Sequence, residues 1–84
     1  MIGRVVCSKA GRDKDKFLVI VGEKDKFFFL CDGKERPLER PKMKNKKHLA
    51  LTKTTLEESS LKSNKAIKRA LAIYRDTRDT KEEA

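Results

Sequence analysis

The fold of this chain is decided by two neighbouring apolar runs, Phe17-Leu18-Val19-Ile20-Val21 and Phe27-Phe28-Phe29-Leu30-Cys31. The first run has three β-branched residues in succession, which favours a strand buried on much of both faces. The second run, preceded by Lys26, predicts another strand with aromatic side chains on both faces. The polar residues Gly22-Glu23-Lys24-Asp25 between the runs predict a turn.

Further strand-like segments flank this pair. Residues 3–8 predict a strand before it, and His48-Leu49-Ala50-Leu51-Thr52 predicts a short closing strand after it. The pair Asp32-Gly33 favours a type I′ hairpin turn, after which Lys34-Glu35-Arg36 is expected to form the return strand. Because prolines 37 and 41 stand close together, the segment 37–41 is expected to be a loop or a sheet edge.

About five short strands in fifty residues predict a mainly β fold. One flat sheet cannot bury both faces of so many apolar strands, whereas a partly closed barrel removes exposed edges and encloses a single core. We therefore expect a small SH3-like barrel over residues 1–52, a polar linker over 53–62, an amphipathic helix over 63–75 and a frayed tail over 76–84.

The helix is predicted from the spacing of apolar residues after Ser63. These residues recur at intervals of three and four, and the Ser63 hydroxyl is a suitable N-cap. We expect the apolar face to cover the barrel, while the polar linker would also allow the helix to dock on a partner. The face consists of Ala66, Ile67, Ala70, Leu71, Ile73 and Tyr74.

The charge of the chain is strongly positive. It has 22 basic and 13 acidic residues, for a net charge of +9, of which +7 falls within residues 1–52. Such an excess favours polyanionic partners, most often nucleic acid. The apolar runs are far shorter than the ~20 residues of a spanning helix, and the N-terminus lacks a signal-peptide apolar core. We therefore expect a cytoplasmic protein without a membrane partner.

The sequence offers little for catalysis or metal binding. A nucleophile needs a base and an orienting group assembled in a pocket, and this short chain has one histidine, His48. Cys7 and Cys31 each end an apolar run and are expected to be small buried thiols. One histidine and two cysteines are too few ligands for a structural zinc site. We expect no enzymatic activity, no metal and no cofactor.

Two basic segments contain the candidate binding residues. The first, residues 8–16, is called the basic loop here and surrounds Gly11, which permits positive φ and close approach to a phosphate. The second spans residues 36–48, where lysines at alternate positions would share one side of an extended chain. Like charges on one side favour a nearby anion. The candidate RNA-binding residues are Lys9, Gly11, Arg12, Lys14, Lys16, Arg36, Arg40, Lys42, Lys44, Lys46 and Lys47.

The run Gly3-Arg4-Val5-Val6 through Val21, with Ala10-Gly11-Arg12-Asp13-Lys14 at the turn, resembles the KOW motif. With the Asp32-Gly33 turn and the segment up to Thr52, the chain resembles short, stand-alone bacterial KOW-domain proteins related to the fourteenth eukaryotic-type large-subunit ribosomal protein. The resemblance implies an SH3-like barrel that binds ribosomal or other structured RNA in translation. The motif's glycine corresponds to Gly11 and its lysine to Lys14. The second glycine usual after that lysine is replaced by Asp15.

Two further hypotheses stay open beside RNA binding. A protein-interaction module would dock on ribosomal or transcription machinery through the barrel or the helix, and it predicts an exposed apolar groove. A DNA-binding module would lack the contacts to 2′-hydroxyl groups that distinguish RNA. The leading expectation is a monomeric, non-enzymatic module that contacts the phosphate backbone of RNA, above all ribosomal RNA, with ribosomal proteins as further partners. The phenylalanines at 27–29 are expected to fill the core rather than to stack on bases.

Overall fold

A computed structural model describes residues 1–12 and 14–83, with the side chains of the C-terminal helix described as far as Tyr74. Within this part the chain forms one five-stranded antiparallel sheet in the order β4-β3-β2-β1-β5, followed by a single helix. This confirms the predicted mainly β, small barrel-like fold. The elements are β1 (Arg4–Ser8), β2 (Phe17–Lys24), β3 (Phe27–Cys31), β4 (Lys42–Asn45), a 3₁₀ turn (Lys46–His48), β5 (Leu49–Thr55), a second 3₁₀ turn (Glu58–Leu61) and α1 (Asn64–Glu83).

The sheet curls until its two edges approach each other. The 3₁₀ turn Lys46–His48, called the closing turn here, leads from edge strand β4 to edge strand β5. Its Lys46 backbone N–H donates to the carbonyl of Lys26 at 2.9 Å, and its His48 carbonyl accepts from the Lys9 N–H at 2.9 Å. The closing turn is therefore bonded both to the β2–β3 turn and to the end of β1.

The interior of the barrel is the first of two apolar layers. Alternate residues of the strands point inward, because successive strand side chains lie on opposite faces. The larger ones are almost fully buried, and burial of such a side chain contributes about 1.5–3 kcal/mol. The layer consists of Val6, Leu18, Ile20, Phe28, Leu30 and Leu49.

The second apolar layer lies between the outer face of the sheet and α1. Val5 and Val19, which alternate with the inward residues, are completely buried against the completely buried Ile67 of the helix. The rings of Phe17 and Tyr74 also pack together, with their centroids 5.2 Å apart. The predicted burial of both strand faces is therefore confirmed. Ile67, Leu71 and Tyr74 of the helix cover the barrel from outside, whereas Ile73 of the predicted apolar face is exposed.

The return strand predicted after Asp32-Gly33 is wrong. A type I′ turn needs positive φ at both central residues, and of these two only Gly33 has it, at φ +80°. The Asp32 carboxylate instead accepts from the N–H groups of Lys34 at 2.8 Å and Arg36 at 2.9 Å, which closes a local loop. The strand that pairs with β3 on the side away from β2 is β4, which begins ten residues after Asp32.

Three boundaries also differ from those predicted. β2 continues to Lys24, so the turn before β3 lies at residues 25–26, and β5 continues to Thr55 into the predicted linker. The helix begins after Ser63, whose hydroxyl accepts from the Ala66 N–H at 3.1 Å as an N-cap does, and it continues to Glu83. The side chains of the predicted tail, 76–84, lie outside the described residues. No helix in the described part is long and apolar enough to cross a membrane.

Candidate nucleic-acid interface

The basic loop connects β1 to β2, and backbone hydrogen bonds join its two ends. The Ser8 carbonyl accepts from the Asp15 N–H at 2.8 Å, while the Ser8 N–H donates to the Lys16 carbonyl at 3.0 Å. Asp15 and Lys16 thus both lie opposite Ser8, and Asp15 has φ +69°. This is the arrangement of a G1 bulge, whose first residue is usually glycine in the left-handed region.

Asp15 therefore occupies a backbone conformation that favours glycine. Aspartate is among the few L-residues that visit this region with moderate strain, since its short side chain can bond locally. Gly11, at φ +78°, is another described residue of the loop that lies in the left-handed region. Asp15 thus holds a left-handed position in the loop and adds a negative charge to it.

Lys44 joins β4 to the basic loop. Its ammonium donates to the Ser8 hydroxyl at 2.7 Å and to the Ala10 carbonyl at 2.6 Å. In sheet order β4 is three places from β1, so this contact exists only because the sheet curls. It brings the second basic segment against the first.

The two lysines of β4, Lys42 and Lys44, lie on the interior side of the sheet. Lys44 pairs with Phe28 and Lys42 with Leu30, and both of these partners face the barrel interior. Paired residues share a face, so the two lysines lie along the rim of the interior, whereas Met43 lies on the outer face and is 53% exposed. Inward-pointing lysines on an edge strand also discourage pairing with another chain.

Lys46 is held within the closing turn. Its ammonium forms an ion pair with Glu23 and lies 4.8 Å from the centroid of the Phe28 ring. The hydrogen bond from Lys46 lowers the pKa of the Glu23 carboxyl below its usual value. Lys46 thus contributes positive charge to this end of the barrel while it is engaged by the protein itself.

The exposed cations at this end come from both basic segments. Lys9, Arg12 and Lys14 are exposed in the basic loop, and Lys47 and His48 are exposed in the closing turn. Because the Lys9 N–H donates to the His48 carbonyl, the basic loop and the closing turn are neighbours in space although they lie about 40 positions apart in the sequence. The four lysine and arginine residues carry the positive charge, and together with His48 they are called the cationic end here.

Lys16, Arg36 and Arg40 belong to a different neighbourhood. Lys16 lies 3.5 Å from the Glu35 carboxylate, in the loop 32–41 that also holds the two arginines. That loop is anchored on the first residue of α1, because the side-chain oxygen of Asn64 accepts from the Leu38 N–H at 2.6 Å. The predicted segment 36–48 is thus divided between the start of the helix and the cationic end.

The aromatic residues do not form one platform. Phe28 is buried in the barrel interior at 4% exposure. Phe27 and Phe29 lie on the outer face and are half-buried, with the Phe29 ring packed over Gly22. Core packing therefore accounts for one of the three residues.

An apolar groove of about 1020 Å³ runs beside α1 on the outer face of the sheet. Its lining includes Phe17, Tyr74 and Ile73, and the Ile73 side chain is 67% exposed. The charged residues in its lining are Asp15, Glu57 and Arg69. The groove thus borders the basic loop but differs from it in chemistry.

Both cysteines are thiols, since they form no disulfide. Cys31 is completely buried under α1, and burial raises the pKa of its thiol to about 11, with further contributions from the carboxylates of Asp32 and Glu39. Cys7 is half-buried and lines the groove. Among the described residues no group of three or more histidine, cysteine or acidic side chains could hold a metal ion.

Two residues of this region were missed in the sequence. Ser8 is completely buried and accepts the Lys44 ammonium, and Glu23 pairs with Lys46. Neither belongs to a recognisable pattern, because each acts through a partner more than twenty positions away. In comparisons with known proteins, no family model and no curated protein matches the chain. The KOW resemblance therefore stays a prediction.

Proposed function

We propose that this protein is a non-enzymatic, cytoplasmic RNA-binding module of the translation apparatus, which contacts ribosomal or other structured RNA through its phosphate backbone. The observation that supports this most is the cationic end. The hydrogen bond from the Lys9 N–H to the His48 carbonyl brings the basic loop and the closing turn, with their cations, together at one edge of the barrel. Cations held by a scaffold lose little entropy when they bind phosphates.

Two of the described carboxylates near the basic segments are engaged by lysines, whereas Asp15 places a negative charge within the basic loop itself. Glu23 is paired with Lys46, and Glu35 lies beside Lys16, outside the cationic end. With a net charge of +9 on the whole chain, the field at the cationic end attracts polyanions. RNA helices are recognised mainly by shape and by phosphate and 2′-hydroxyl contacts, for which scattered cations are suited.

The test is binding to ribosomal RNA across a salt series. Neutralisation of about four to five phosphates predicts a slope near −4 for log K against log[salt], or roughly a few hundred-fold loss between 50 and 200 mM. The double variant Lys9→Ala/Lys14→Ala should weaken binding and flatten this slope by about two. Matched control substitutions of the exposed helix residues, Lys65→Ala/Lys68→Ala, remove the same charge and should change binding far less.

The result that would contradict RNA binding is the absence of any salt-sensitive association with ribosomal RNA or ribosomal subunits. Equal affinity for matched RNA and DNA duplexes would point instead to general polyanion binding, since 2′-hydroxyl contacts form only with RNA.

A second candidate function, protein docking on ribosomal or transcription machinery, is favoured by the apolar groove. The protein-interaction hypothesis calls for an exposed apolar groove, and one lies beside α1 with Ile73 67% exposed. Two of the three charged residues in its lining, Asp15 and Glu57, are acidic, which favours an apolar peptide segment that also carries basic residues. Binding of such a peptide should survive Lys9→Ala/Lys14→Ala and should be lost in Ile73→Glu, whereas RNA binding should respond in the opposite way.

A further inference from the structure

We propose that Lys44 is a positioning residue of the RNA interface, which holds the basic loop in one conformation from inside the barrel rim rather than neutralising a phosphate. This inference rests on the proposed RNA-binding function. It gives Lys44 a different role from the exposed lysines with which it was grouped in the sequence.

The first step is the hydrogen bonding of the Lys44 ammonium. An ammonium has three donors, and two of them are directed at the Ser8 hydroxyl (2.7 Å) and the Ala10 carbonyl (2.6 Å). The Ser8 hydroxyl itself donates to the Ala10 carbonyl at 3.1 Å. The three groups form a closed triangle at the point where β1 enters the basic loop.

The second step is the direction from which Lys44 arrives. Its pairing with Phe28 places its side chain on the interior face, and Ser8, at 0% exposure, lies at the inner end of the triangle. A Cβ on Gly11 would lie 3.5 Å from the Lys44 ammonium. The ammonium is therefore close to Gly11 as well as to Ser8 and Ala10. The ammonium therefore reaches the loop from the interior side, with two of its three donors engaged by the protein itself.

The third step is the consequence for binding. Arg12 and Lys14 are exposed on the far part of the loop, and a loose loop would have to be ordered when RNA binds. Because Lys44 fixes the loop backbone at Ala10 beforehand, much of that entropy has been lost already in the free protein. Lys44 therefore raises affinity through the other cations.

The experiment compares Lys44→Met, which keeps the length of the side chain without its charge, with Ser8→Ala, which removes one acceptor and leaves the net charge unchanged. Amide order parameters of residues 10–12 should be near 0.85 in the wild type and fall below about 0.6 in Lys44→Met. RNA affinity should fall about tenfold in Lys44→Met, with the salt slope unchanged, and about threefold in Ser8→Ala.

The matched control is Lys9→Met, an exposed cation of the same loop. It should flatten the salt slope by about 0.9, as loss of one phosphate contact predicts, while loop order persists. A lower free energy of unfolding would not by itself reduce RNA affinity, because a variant that remains folded at the assay temperature has nearly all of its molecules in the folded state.

Each outcome separates the positioning role from the proposed function. If the wild type fails to bind RNA, RNA binding is wrong, and the order parameters still decide whether Lys44 positions the loop. If the wild type binds, a Lys44→Met slope flattened by about 0.9 with an ordered loop would show that Lys44 is a direct phosphate contact. If Lys44→Met fails to fold, Ser8→Ala decides, and unchanged loop order and affinity in that variant would overturn the inference.

Discussion

The tight contact between Gly33 and the first turn of α1 predicts a large effect of one methyl group. Gly33 has φ +80°, and a Cβ there would overlap the carbonyl oxygen of Asn64 and lie 2.8 Å from the backbone nitrogen of Lys68. These are backbone atoms of a helix and cannot turn aside. Gly33→Ala must therefore strain φ, displace the loop 32–41 from the helix, or do both.

The magnitude follows from two contributions. An L-residue in the left-handed region costs about 1–2 kcal/mol relative to glycine. Overpacking against backbone costs typically about 1–3 kcal/mol more. Gly33→Ala should thus lower the free energy of unfolding by about 3 kcal/mol, a large fraction of the roughly 5–15 kcal/mol of a small domain.

Gly11→Ala is the matched control, because Gly11 has nearly the same φ, +78°, but different surroundings. The nearest atom to its Cβ would be the flexible Lys44 ammonium, at an ordinary 3.5 Å. It should therefore show only the conformational cost, about 1–2 kcal/mol. Urea unfolding followed by circular dichroism at 222 nm measures both variants. If Gly33→Ala is no more destabilising than Gly11→Ala, the packing argument is refuted.

Three other predictions concern the bulge, the thiols and the helix. Asp15→Gly should be about 1 kcal/mol more stable than Asp15→Ala in urea unfolding, since both lose the carboxylate and only alanine strains φ +69°; equal stabilities would argue against the bulge. In native protein at pH 8, iodoacetamide should modify Cys7 well before Cys31. A thiol pKa near 11 instead of the usual 9.0 makes the thiolate about 100-fold scarcer at Cys31, even before its burial is considered. Peptide mass spectrometry measures the order of modification, and earlier modification of Cys31 would contradict the prediction. The raised pKa of Cys31 also means that the folded state retains a proton that the unfolded state loses, so its contribution to stability is present below about pH 9 and is lost as pH rises towards 11. Ile67→Ala should cost about 2–5 kcal/mol, whereas Ile73→Ala, at an exposed position, should cost less than about 0.5 kcal/mol, both measured by urea unfolding.

The strands and the helix were predictable because their signals are local. The β-branched run at 17–21, the aromatic run at 27–31 and the spacing of apolar residues after Ser63 each indicate an element by themselves. Their agreement with one another predicted the barrel-like fold and the covering helix. The return strand failed because the Asp32 side chain bonds the backbone two and four residues ahead, which competes with a hairpin turn.

The composition of the site was predictable, but its arrangement was not. Alternation along 42–46 indicated a shared face for the lysines without showing that the face is the barrel rim. That depends on the pairing of Lys44 with Phe28, a long-range register that no local pattern specifies. The contact between Lys9 and His48 likewise exists only because the sheet curls.

The two apolar layers share the same strands, and this affects how the protein is made. Val5 and Val19 are buried only when α1 lies over them, yet α1 follows all five strands in the chain. During synthesis the sheet can close its interior while its outer face remains uncovered. The barrel and the helix therefore form one cooperative unit, and the nascent chain passes through a stage with a bare apolar face, where premature release would lead to aggregation rather than to a smaller stable domain.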